Sequence, residues 1–167
     1  MTSTTKNQAN LEVPPGRLDM IVTREFDAPR ELVFRAYTEP ELFVQWMGPR
    51  ELEIELTTFE PRSGGSWRYI NTDSDGSSYG FHGVFHEVLA PERIIQTFEF
   101  EGLPEAGHVT LETAYFEELP GGRTSLRGIS VFQTMEDREG MLQSGMEGGM
   151  NETYERLDEL LARMQQK

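Results

Sequence analysis

TMEDREGMLQSGMEGGMNETYERLDELLARM, residues 134–164, has the composition of a helix, yet its first half carries Gly140, Gly145, Gly148 and Gly149. Glycine costs a helix interior about 1 kcal/mol relative to alanine. A helix that keeps four of them therefore has a use for the space left beside it. Thr134 and Asp137 have the spacing of a capping pair, and Leu142, Met146, Gly149/Met150, Thr153, Leu157, Leu160 and Met164 trace one apolar face. The pattern predicts one long C-terminal helix with room along its glycine-bearing half, which points to a cavity.

Six segments upstream of this helix have strand character, over 52–60, 66–71, 79–89, 93–101, 109–117 and 124–132. Turn residues separate them: Ser63-Gly64-Gly65, Asp73-Ser74-Asp75-Gly76, Ala90-Pro91-Glu92, the stretch 102–107, and Pro120-Gly121-Gly122. Connections this short imply antiparallel neighbours. Before them, Leu18, Met20, Val22 and Phe26 alternate as in a half-buried strand. Pro29 then opens a short helix carrying Leu32, Val33, Ala36 and Tyr37, and Pro40 opens a second with Leu42, Phe43, Trp46 and Met47, ended by Gly48-Pro49. The order strand, two helices, six strands, helix predicts an α+β domain in which a curved seven-stranded antiparallel sheet (β-α-α-β6-α) wraps around the last helix. Residues 1–16 are polar and end in Pro14-Pro15-Gly16, so they are expected as a disordered arm before a single domain over 17–165.

Composition narrows the partners. Among 167 residues, 29 acidic side chains face 15 basic ones, a net charge of −14 that repels nucleic acid and anionic membranes. Without cysteine there is no disulfide, thiolate nucleophile or Cys-ligated zinc. No apolar run approaches the ~18 residues of a spanning helix, and the N-terminus lacks the pattern of an export signal. A cytoplasmic protein, monomeric or homodimeric, is expected.

TREFDAPRELVFRA (23–36), QWMGP (45–49), PRSGGSW (61–67), PERI (91–94) and the glycine-rich tail resemble the bacterial homologues of the heat-shock protein 90 ATPase activator. These belong to the START-like, or SRPBCC, superfamily of helix-grip proteins, which also holds the birch pollen allergen and the polyketide aromatase/cyclases. The resemblance spans about 17–162. It implies a helix-grip fold with a hydrophobic cavity between sheet and helix, and, through the family name, a chaperone ATPase as partner and a place in the stress response.

Alternation nominates the cavity lining. Trp67, Tyr69 and Asn71 share one strand face, and His82 and Phe85 come from the next strand. Pairing Tyr115 with about Leu126 across Pro120-Gly121-Gly122 groups Leu111, Thr113 and Tyr115 with Leu126, Gly128, Ser130 and Phe132. Met141, Leu142, Gly145, Met146 and Gly149 answer from the helix. The predicted ligand-binding set is Trp67, Tyr69, His82, Phe85, Tyr115, Leu126, Phe132, Met141, Gly145, Met146 and Gly149, residues that would equally fill a closed core. Tyr69, His82, Gln96, Glu112 and Arg127 are the polar strand residues weighed for acid–base chemistry. The same alternation sends Glu112 and Arg127 to solvent, leaving no acid–base pair.

Other motifs fail on context. Gly76-Ser77-Ser78-Tyr79-Gly80 spells a nucleophile elbow but precedes a strand rather than a helix. Residues 71–76 imitate a calcium loop whose twelfth position is His82 in place of Glu. His82 and His86 lie about 13 Å apart along a strand, too far for one ion. Asn151-Glu152-Thr153 is a glycosylation sequon within a helix, and Gly145 to Gly149 spells GxxxG among polar residues, which suggests close helix-to-sheet approach. No metal and no cofactor are expected. The leading expectation is a non-catalytic carrier or sensor for a small hydrophobic or aromatic molecule. The alternatives are a regulator of a chaperone ATPase acting through a surface patch, and a cyclase-like enzyme.

Overall fold

Residues 7–166 are described by the computed structural model of the chain. The elements run β1 (Asn10–Glu12), β2 (Asp19–Phe26), α1 (Arg30–Thr38), α2 (Pro40–Phe43), β3 (Glu53–Phe59), β4 (Ser66–Thr72), β5 (Ser78–Leu89), β6 (Arg93–Phe100), β7 (Thr110–Leu119), β8 (Arg123–Val131), α3 (Met135–Gln143) and α4 (Met146–Gln165). The strands form one antiparallel sheet in the order β1-β2-β8-β7-β6-β5-β4-β3. From β3 to β8 this is a meander, as short connections require; the crossover through α1 and α2 puts β2 beside β8. The α+β helix-grip architecture is thus present, with two corrections.

The sheet has eight strands rather than seven. Asn10–Glu12 pairs with Ile21–Thr23 at the edge, where a polar segment gains backbone hydrogen bonds without needing apolar burial. The buried Arg138 donates to the carbonyls of Pro14 and Arg17, at 2.7 Å each, and so ties down the segment expected as a loose arm. Residues 1–6 of that arm lie outside the described ones.

The long C-terminal helix is two helices. Thr134 caps α3 as its spacing with Asp137 predicts, its hydroxyl accepting from the Asp137 N–H at 3.0 Å. The chain then breaks at Gly145, whose φ of 84° is a left-handed conformation that glycine adopts without penalty, and α4 starts there. A Cβ built on Gly140, Gly145, Gly148 or Gly149 meets no atom within 4 Å. The glycines therefore border open space, and the close helix-to-sheet approach suggested by GxxxG is not made.

The dense core sits at the other end of α4. Leu157, Leu160 and Leu161 are buried with Phe26, Val33 and Phe116, each such side chain contributing about 1.5–3 kcal/mol by leaving water. Trp46 Nε1 donates to the Ala36 carbonyl at 2.9 Å, closing the α1–α2 corner onto this core. Arg24, 5% exposed, makes paired bonds of 2.7 and 2.8 Å with Asp158, and Arg156 donates to the carbonyls of Gly48 and Gln45. The C-terminal part of α4 is thereby fixed to β2 and to the α2 loop.

Candidate functional site

A partly open cavity of about 390 Å³ lies between the sheet and the α3–α4 pair. Directly opposed residues of antiparallel strands share a face, and the register lays one row across five strands. Met20 of β2 faces Ser130, which faces Glu112, which faces Gln96, which faces Phe85 of β5; all five line the cavity. A parallel row, Val22, Gly128, Ala114 and Ile94, lies one pleat along. Trp67 and Tyr69 stack at 5.5 Å on β4. Trp67 fits because its strand partner is Gly83, where a Cβ would come within 2.8 Å of the indole. Tyr37 and Trp46 close one wall, and Met141, Met146, Met150 and Tyr154 cover the top.

Of the residues expected to line a cavity, Trp67, Tyr69, Phe85, Leu126, Phe132, Met141 and Met146 do so. Gly145 and Gly149 are not part of the lining; Gly145 begins α4 instead. His82 and Tyr115 lie on the opposite face. β4 and β5 pair without a register shift, yet His82 is opposite Arg68 while Tyr69 and Phe81 take the inner face. His82 there bonds Glu101 at 2.8 Å, and Arg68 beside it pulls the Glu101 carboxyl down to about 2. Tyr115 pairs with Arg127, whose guanidinium stands 4.9 Å from its ring centroid.

The cause of the Tyr115 error is one residue of register. Leu119 and Arg123 flank a three-residue turn, so Phe116, not Tyr115, faces Leu126. A slip of one exchanges the two faces of a strand. Leu111 becomes 45% exposed, and Glu112, expected in solvent, turns inward. Arg127 does face outward, as expected.

Glu112, which alternation alone sends to solvent, faces the cavity opposite Gln96. Its Oε1 accepts from Gln96 Nε2 at 3.1 Å; Oε2 has no protein partner among the described residues. Loss of solvation raises its pKa to about 7, and the Gln96 bond offsets this only in part. Burial, then the neighbouring Tyr154 and the charge of Glu112, hold the Tyr37 hydroxyl well above its usual range. Burial and Glu112 together raise Tyr69 and push Tyr154 up to about 12. Three neutral hydroxyls from α1, β4 and α4 thus feel one carboxyl. Trp67 Nε1 is buried without an acceptor, so the lining also holds a free donor.

Residues 27–162 match the model of the family described as Activator of Hsp90 ATPase homolog 1-like protein, and the chain belongs to that family. Solved structures agree over more than nine-tenths of the chain. A Rhodobacter sphaeroides protein is 28% identical, with 94% of this chain and 99% of that one covered and a TM-score of 0.84. Proteins from Arthrobacter aurescens and Staphylococcus epidermidis are each 28% identical, covering 92% and 95% of this chain and 91% and 96% of theirs, at TM-scores of 0.83 and 0.80. No curated protein matches the chain. Among the described residues, no helix is long and apolar enough to cross a membrane.

Proposed function

We propose that this chain binds a small apolar or aromatic molecule in the cavity beneath α3 and the first turns of α4, as a carrier or sensor. The supporting observation is the cavity itself: its volume of about 390 Å³ falls within the roughly 300–1,000 Å³ of small-molecule sites. Its walls are aromatic and aliphatic, with a few polar groups in one row, and its cover is rich in methionine, whose flexible thioether adapts to differing shapes.

An amide-resolved NMR titration against neutral aromatic alcohols, flavonoids, sterols and fatty acids tests this reading. Saturable shifts at Trp67, Tyr69, Glu112 and 141–150 are the expected result. An absence of shifts with every class would overturn it and favour the alternative carried by the family's name, regulation of a chaperone ATPase through the outer surface. Acid–base turnover of the bound molecule has one observation in its favour, the inward carboxyl of Glu112; chemical change of any bound panel member on prolonged incubation, lost in Glu112→Gln, would establish it.

A further inference from the structure

Glu112 is the one formally charged side chain lining the cavity; Lys, Arg and His are all missing from the described lining. Gln96 occupies Oε1 and leaves Oε2 open to a ligand. Tyr37, Trp46, Trp67, Tyr69 and Tyr154 line the same space, and aromatic faces attract cations electrostatically, most strongly where water is excluded. A carboxylate charge withdrawn from water is costly unless it is paired and hydrogen-bonded, and Gln96 supplies only one such bond. Beyond the site, the net charge of −14 concentrates cations around the molecule and repels anions. We propose that the cavity's ligand is an amphiphilic amine, a hydrophobic ring system carrying one protonated nitrogen, with that nitrogen placed on Glu112 Oε2 and the rings among the aromatic side chains. This inference rests on the cavity-binding reading above and specifies its ligand class.

The charge on Glu112 sets the pH dependence. The groups that face it are Gln96 of β6, Ser130 of β8, and the hydroxyls of Tyr37, Tyr69 and Tyr154 from α1, β4 and α4. Arg24 of β2 reaches the Tyr154 ring at 5.8 Å but is held by Asp158. The three tyrosines, all raised above their ordinary range, stay neutral through neutral pH, so among the facing groups Glu112 is the one that changes state. An amine that stays protonated binds the ionised carboxyl, displaces its proton, and gains affinity as pH rises.

A matched trio tests this on the full chain: naphthylmethylamine, naphthylmethanol and naphthoate, followed by calorimetry at about pH 8, where the amine is still protonated. The amine is expected to bind about tenfold more tightly than the alcohol, one opposite-charge contact being worth about 1.4 kcal/mol, and naphthoate most weakly. Glu112→Gln is expected to remove the amine's advantage, bringing the ratio of amine to alcohol affinity measured within the variant to about one. A readout independent of any variant is proton release: near pH 6.5, amine binding to the wild-type chain expels a substantial fraction of one proton, seen as a dependence of the measured heat on buffer ionisation, and alcohol binding expels none. Equal affinity for amine and alcohol, or no proton release, would overturn the ligand class while cavity binding stood. Failure of all three compounds to bind would overturn both.

Discussion

α4 passes over two unlike surfaces. From Leu157 to Leu161 it is buried on the aromatic core and bonded through Asp158 to Arg24; from Met146 to Met150, with α3 before it, it covers a cavity and carries two glycines with nothing beside them. One half holds the fold and the other leaves space. Dense packing and open volume are separated along a single helix, so substitutions in the two halves have different consequences.

The largest expected effect is in the docked half. Leu157→Ala lowers stability by about 2–5 kcal/mol in urea unfolding, since a fully buried leucine leaves a cavity in a packed core. Met146→Ala, at an existing cavity, costs less than about 1 kcal/mol. Equal losses would erase the distinction between the halves.

Glu112 makes the second contrast. Its folded pKa of about 7 lies above the ordinary 4.5, so the folded state holds this proton more tightly than the unfolded chain does. Stability from that proton is complete below about pH 4.5 and is lost as pH rises towards and through 7. Glu112→Gln, which stays neutral, therefore stabilises the protein by about 2–3 kcal/mol at pH 8 and changes little at pH 4. A pH-independent difference between the two proteins would place the carboxyl in solvent.

Gly148→Ala is a smaller test on the exposed side of the same turns. The added methyl meets no atom, so helix propensity alone acts and stability rises by up to about 1 kcal/mol. A loss would show that the space beside the helix is filled. The smallest effect concerns His108, which bonds Asp137 of α3 at 2.9 Å and has its pKa raised by that bond and charge. The contact stabilises the protein below the ordinary histidine range and is lost as pH rises through the raised value. His108→Ala accordingly lowers the melting temperature more at about pH 5.5 than at about pH 8.5.

Most of the fold was readable because the turn residues and the period of two are local signals: the last six strands fall where Gly and Pro clusters separate alternating runs. Features set by tertiary contact were less visible. Asn10–Glu12 is too polar to declare a strand and is one because β2 offers it an edge. The break at Gly145 is a choice between two uses of glycine, a thin helix and a left-handed cap, that composition does not decide. At the site, Trp67 and Tyr69 followed from alternation, whereas Glu112 was lost because Leu111-Thr113-Tyr115 and Ala114-Phe116 read as equally apolar faces. The three-residue turn at 120–122, pairing Phe116 with Leu126, was the signal that separates them.

Amide hydrogen exchange along residues 141–161, with and without saturating naphthylmethanol, addresses the cavity most directly. Faster exchange is expected in 141–150 than in 157–161 for the free protein, with ligand slowing the first segment and leaving the second unchanged. Uniform slow exchange that no aromatic ligand alters would contradict this, leaving the space beneath α3 and the first turns of α4 without an occupant.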